Sequence, residues 1–559
     1  MQKLHFFWLD FKGKIPYIYM MTGSGGPPGG RIPFGPGFIC VSQEEETMIY
    51  HNPVISGFYP DPSICAAEGK FYLVSSSFQY FPGVPLFESM DLVNWTQIGH
   101  VLTRESQVML DRVRASGGVF APTIRYNNGR FYMITNNNST NENFYVYTDD
   151  IHGEWSEPIP VDMNGIDPSL LFDDGHAYVL TNGQDDKGNW GIVQCEIDIA
   201  TGARIGDCRC LWKGSGGRYI ESPHMYRIGE YYYLMIAEGG TEYGHMVTYA
   251  RSSSPWGPFT DYAANPVLTN RNKAPYEIQG IGHGDLIRNN DGNWYMVTLG
   301  FRQIGKWEPY HNLGREVFLT PVCFDKEGWF TCGSDGTTDD TYEIPGDFMQ
   351  VRKQEYTFKN TDWSIDWAYL RKYHPENYHL SDQAALLRGT ELSLDDVDSP
   401  TFIALRQKAF CMEATAVVTL EEDKRDVSPR GLSQTPFSAG LTVYMCEDEH
   451  YDVELAGTDT GIRAQLKLNI GGIRHIHSIH VPKEKNAAKQ AMLMIRGDHD
   501  SYAFYVQFAS DERPIFLGKG RTKYLSSEVS GGFTGTMVGM YAVGNCTAAF
   551  TDFSCKYEF

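Results

Sequence analysis

The sequence predicts an all-β protein, a five-bladed β-propeller followed by a C-terminal β-sandwich of jelly-roll type. Five segments resemble one another and recur at roughly 45–60 residues, near the length of one four-stranded blade. Strands read as short alternating runs, and helical periodicity over a dozen residues is nearly absent. Near residue 345 the repeats stop and a different series of strand-forming runs begins.

The chain opens with a stretch that does not read as part of either unit. Leu4 to Leu9 is mostly apolar, but Asp10, Lys12 and Lys14 interrupt it too soon for a secretory segment. Residues 22–38 are rich in Gly and Pro and resist regular structure. Residues 1–47 are therefore expected to be a disordered tail or an upstream extension of the reading frame. The lack of a clear export signal favours a cytoplasmic location, with secretion as the alternative.

The propeller is expected over 48–344. Its copies begin at Asp61 (Asp-Pro-Ser-Ile), Ala121 (Ala-Pro-Thr-Ile), Asp167 (Asp-Pro-Ser-Leu), Ser222 (Ser-Pro-His-Met) and His283 (His-Gly-Asp-Leu). Each runs through a glycine turn into an aromatic strand, as in Gly69-Lys70-Phe71-Tyr72-Leu73 and Gly292-Asn293-Trp294-Tyr295-Met296. Tryptophan-bearing polar stretches, such as those around Trp95, Trp155 and Trp256, recur between copies.

The sandwich is expected over 345–559. Glu355-Tyr356-Thr357-Phe358 opens it, and Ala414–Leu420, Leu441–Met445, Tyr451–Leu455 and Tyr502–Val506 have the length and spacing of strands in two antiparallel sheets. Residues 421–438, charged and then rich in Ser, Pro and Gly, read as an exposed loop.

Composition narrows the function classes. With 42% hydrophobic and 21% charged residues the chain is of globular type. A formal charge of −22 disfavours nucleic acid as a partner. No stretch approaches the roughly 18 unbroken apolar residues of a membrane helix. The 11 cysteines form no CxxC pair and no zinc-type cluster, so reduced, mostly buried thiols are expected, with a secreted, partly bridged protein as the rival.

A propeller brings the matching position of every blade to one axis. Asp61, Asp167 and Glu221, one residue before the fourth copy, should therefore meet at one end of it. Asp61 lies between Pro60 and Pro62, which restrict its backbone. Asp-Pro in a turn is common, but three carboxylates at equivalent repeat positions point to chemistry. Two carboxyl groups with divergent pKa values can deliver a proton to a glycosidic oxygen and activate water.

These residues carry a family resemblance. Gly57-Phe58-Tyr59-Pro60-Asp61-Pro62-Ser63, Phe81-Pro82-Gly83-Val84-Pro85, Gly165-Ile166-Asp167-Pro168-Ser169, Ile220-Glu221-Ser222-Pro223, Ala237-Glu238-Gly239-Gly240-Thr241 and Gly282-His283-Gly284-Asp285 resemble glycoside hydrolase family 43, in its two-domain β-xylosidase/α-L-arabinofuranosidase branch. The resemblance covers about residues 50–559. It implies an inverting mechanism with Asp61 as general base, Glu221 as general acid, and Asp167 orienting the acid and raising its pKa. It implies that Arg315 reaches a sugar hydroxyl, and that Phe78, Phe120 and Thr241 line the substrate pocket. Relatives commonly carry tryptophan where Phe120 stands, so sugar preference stays open. Gly532-Phe533-Thr534-Gly535 resembles a sandwich loop whose phenylalanine closes the pocket. The resemblance also implies a divalent ion, often calcium, held mainly through water with His283 as its protein ligand, while no cofactor is required for the reaction.

The leading expectation is an exo-acting hydrolase that releases terminal β-1,4-xylose, α-L-arabinofuranose or both from xylo-oligosaccharides or arabinoxylan. A strict arabinofuranosidase and a non-catalytic carbohydrate-binding propeller are the alternatives. A homo-oligomer stays open.

Overall fold

The computed structural model describes residues 47–423, 436–458, 461–481 and 489–559. The tail expected over 1–47 falls almost wholly outside these residues, and so does most of the loop expected over 421–438.

Five four-stranded antiparallel sheets follow one another along the chain: Ser63–Leu102, Thr123–Val161, Ser169–Trp212, Glu221–Asp261 and Ile278–Cys332. Within each, strand order follows chain order from the first strand outward. Each first strand contacts the first strands of the blades beside it, and that of blade five returns to that of blade one. The sheets therefore close a ring, with the five repeat starts around its axis. Tyr50, Ile55, Phe71, Val297 and Val317 pack across the seam between blades five and one. Beside it, Thr47–His51 pairs with Thr341–Pro345.

The axis is tied by polar side chains from different blades. Asp285 Oδ2 in blade five accepts from Ser63 Oγ at 2.6 Å and Ile64 N at 3.0 Å in blade one, and pairs with Arg125 Nη1 of blade two at 2.8 Å. Its Oδ1 accepts from Tyr226 of blade four at 2.5 Å. Thr123 of blade two donates to the Pro168 carbonyl, and Ser169 of blade three donates to the Pro223 carbonyl.

The first sandwich strand, Glu355–Thr357, begins ten residues after Pro345. Two antiparallel sheets, of eight and six strands, enclose one apolar core. Strand Cys411–Glu422 shows the expected period of two: Met412, Ala414, Ala416, Val418 and Leu420 are buried and their neighbours less so. The two units share backbone pairing, since Tyr80–Phe81 of the first blade pairs with Tyr369–Leu370.

The expectation of reduced thiols fails at one pair. Cys195 and Cys208 are bonded across neighbouring strands of blade three. An irregular register at Gln194–Glu196 sets Cys195 against Cys208, a meeting that spacing along the chain does not reveal. No helix among the described residues is long and apolar enough to cross a membrane.

Candidate active site

At four of the five repeat starts the backbone is left-handed: Asp61 (φ 55°), Asp167 (φ 53°), Ser222 (φ 53°) and His283 (φ 50°). For residues with a Cβ such backbone costs about 1–3 kcal/mol and persists only where its surroundings enforce it. Asp61, Asp167 and His283 face one cavity of about 550 Å³. In the fourth copy the residue ahead of the strained position, Glu221, lines it. Phe78, Phe120, Thr241, Arg315 and Phe533 line it too. All nine side chains singled out from the sequence therefore border one space.

The three carboxyls sit in different electrostatic surroundings. Asp61 is 5% exposed. Arg315 Nη1 donates to its Oδ1 at 2.8 Å and Ser76 Oγ to its Oδ2 at 2.6 Å, with His283 Nδ1 3.7 Å away. Burial pushes Asp61 up, but Arg315, His283 and Ser76 together outweigh burial and hold the carboxyl below its ordinary value. Glu221 is pushed up to about 7, first by burial and then by the charge of Asp61; the raising charge expected from Asp167 is not among the causes, since Asp167 is itself pushed toward its neutral form. Asp167 is raised well above the carboxylate range by burial and by the charges of Glu221 and Asp61. Its Oδ2 accepts from Ser222 N at 3.2 Å, next to Glu221 in the chain.

One end of the cavity is apolar and built from both units. Phe533 stacks on Phe78 at 6.0 Å between centroids and meets Phe120 edge-on at 6.1 Å. Ser116 Oγ accepts from Phe533 N at 2.8 Å, and Arg315 Nη2 donates to the Phe533 carbonyl at 3.3 Å. This approach needs two glycines. A Cβ on Gly314 would stand 2.9 Å from Gly535 Cα, and one on Gly535 would stand 2.3 Å from the Leu313 carbonyl oxygen. Arg315 also donates to Thr241 Oγ1 at 2.9 Å.

The comparisons with known proteins agree with this architecture. The family model for glycosyl hydrolases family 43 matches residues 50–330. A second, for the β-xylosidase C-terminal concanavalin A-like domain, matches residues 355–556. A non-reducing-end α-L-arabinofuranosidase of Bacteroides ovatus is 37% identical over 89% of this chain and 92% of its own. The chain belongs to glycosyl hydrolase family 43. A xylosidase/arabinosidase of Butyrivibrio fibrisolvens is 33% identical to this family 43 chain over 92% of it and 99% of the relative. The crystal structure of a xylan β-1,4-xylosidase from Bacillus halodurans superposes with a TM-score of 0.81 at 28% identity, covering 91% of this chain and all of that one.

The calcium expected at His283 is one held mainly through water, with this imidazole as its protein ligand. Calcium takes six to eight oxygen ligands, whereas His283 offers one buried nitrogen. The carboxylates near it, Asp61 and Asp285, are each held by an arginine. No cluster of three metal-ligating side chains occurs among the described residues. The protein supplies no direct calcium shell here, and no chemical step below runs through a metal.

Several residues of this family 43 site were not singled out from the sequence. Ser76 orients the carboxylate of Asp61. Glu238 accepts from Ser215 N at 2.6 Å, Gly217 N at 2.5 Å and Thr248 Oγ1 at 2.8 Å, fixing the loop that leads into Glu221. Glu528 of the sandwich accepts from Tyr243 at 2.9 Å and from His311 N at 3.0 Å on the opposite rim. The motif around Glu238 was visible in the sequence. Ser76, Tyr243, His311 and Glu528 sit in no motif that points to their partners.

Proposed function

We propose that this glycosidase is exo-acting and inverting, and that it releases a terminal β-linked xylose or α-L-arabinofuranose from xylo-oligosaccharides or arabinoxylan-derived chains. One observation carries the reading: two carboxyls with opposite protonation tendencies, Asp61 held low and Glu221 held near neutrality, face one cavity that Phe533 also lines. Asp61, ionised, takes a proton from water as that water attacks the anomeric carbon. Glu221, protonated, gives its proton to the departing glycosidic oxygen. Asp167 fixes the backbone beside Glu221 through Ser222 N. Arg315 holds Asp61 and supplies donors at the apolar end, where the wall of Phe78, Phe120 and Phe533 would seat a terminal ring and block a continuing chain. The names of the relatives support both pentoses, and their similar shape around the reacting carbon lets one pocket take either.

Initial rates on the nitrophenyl β-xyloside and nitrophenyl α-L-arabinofuranoside test this, together with product analysis on xylo-oligosaccharides. Only monosaccharide should appear. Asp61→Asn and Glu221→Gln should each lower turnover by about 100- to 10,000-fold while sugar binding is retained. Unchanged turnover in either variant, or release of internal fragments, contradicts the reading.

A further inference from the structure

We infer that Tyr219 is the platform of the leaving-group subsite and stacks on the pyranose that departs when the terminal pentose is released; this rests on the function proposed above. Glu221, as acid, must reach the oxygen joining the terminal ring to the next one. The leaving ring then lies on the open side of Glu221, away from the wall of Phe78, Phe120 and Phe533. Tyr219 lines the same cavity two residues before the acid, so their Cα atoms lie within about 7 Å.

The ring lines the same cavity yet is 60% exposed. Its backing is built for it. A Cβ on Gly240 would stand 3.1 Å from the ring, so a glycine there lets the ring lie close to the backbone. The Arg218 guanidinium sits 5.2 Å from its centroid and is held by the Gly239 carbonyl and the Glu242 carboxylate. Tyr219 itself is left-handed, with φ 53°. An exposed aromatic kept in a strained conformation gains little for folding, and such outliers cluster where a ligand is met. The open face suits the C–H face of a pyranose, whatever its hydroxyl pattern. Tyr219 therefore sets the preference for what leaves, and not for which pentose is released.

The test compares wild type, Tyr219→Ala and Tyr219→Phe on xylobiose and methyl β-xyloside. Both substrates break a bond to an alkyl-type oxygen, and xylobiose alone places a ring at Tyr219. The ratio of kcat/KM for xylobiose over the methyl glycoside should fall about tenfold in Tyr219→Ala and recover in Tyr219→Phe. An unchanged ratio overturns the inference, because equal losses on both substrates mean that Tyr219 acts on the placement of Glu221. If wild type prefers arabinofuranose, arabinofuranosyl-xylose and its methyl counterpart replace the pair. A wild-type protein that turns over neither pair overturns the proposed function itself, and the platform with it.

Discussion

Asp61 and Glu221 are both carboxylic acids in one cavity, and their neighbours divide them. Arg315 and Ser76 bind the charged form of Asp61, so it ionises early although it is buried. Glu221 lacks such donors and feels the negative charge of Asp61, so it keeps its proton up to about pH 7. In the proposed mechanism the active form has Asp61 ionised and Glu221 protonated. Activity should therefore rise as pH climbs through the low value of Asp61, below the ordinary Asp value of about 3.9. It should fall as pH passes about 7 and Glu221 loses its proton. A kcat/KM profile on a xyloside or arabinofuranoside measures this. A rate still rising above pH 8 would remove Glu221 from the role of acid, since a general acid must be protonated to act.

At the scale of elements, ring closure depends on pairing between strands far apart in sequence. Asp285 links blade five to blades one, two and four, and it is fully buried. Burial pushes its pKa up, but Arg125 above all, with His224 and Ser63, outweighs that and holds it below the ordinary value. Breaking such a pair leaves Arg125 buried without its counter-charge. Asp285→Ala should cost about 3–5 kcal/mol in denaturant unfolding at pH 7. Because the folded pKa is depressed, the contribution of Asp285 is complete well above the unfolded value of about 3.9 and fades as pH drops through the folded one. The difference between wild type and variant should thus shrink in acid. A loss at pH 7 below about 1 kcal/mol, the size of a surface pair, would show that the axis is held otherwise. The blade starts could be read from sequence because each copy repeats its own short motif, and Asp61, Asp167 and Glu221 came with them. Asp285 stood in such a motif, but its partners lie on other blades. Ser76, Tyr219 and Glu528 were hidden for the same reason: each reaches the site or its carboxylate from a short segment whose position is set by closure of the ring or docking of the sandwich. Phe533 was reached through resemblance, not periodicity, since its place over the propeller depends on the close contact of Gly314 with Gly535.

Across the whole of the described chain, the propeller and sandwich meet through an interior and not through a wet seam. Phe58, Phe78 and Tyr80 of the first unit form one buried cluster with Leu370, Phe402, Tyr444, Met537 and Tyr541 of the second. Buried Arg371 donates to the Val113 carbonyl at 2.6 Å and pairs with Glu447. Asn312 Nδ2 donates to Tyr502 OH at 2.7 Å, and Thr536 N donates to the Asn312 carbonyl at 2.9 Å. Domains joined by small polar interfaces move and melt separately, whereas a large apolar interface couples them. The same contacts carry Phe533 and Glu528 into the cavity, so an undocked sandwich would leave the site without two of its walls. Unfolding the sandwich alone would expose Phe58 and Tyr80, each worth several kcal/mol when buried. The described residues should therefore unfold in one calorimetric transition, with loss of activity following the same curve. Two resolved transitions, with hydrolysis surviving the first, would show that the pocket stands without the sandwich.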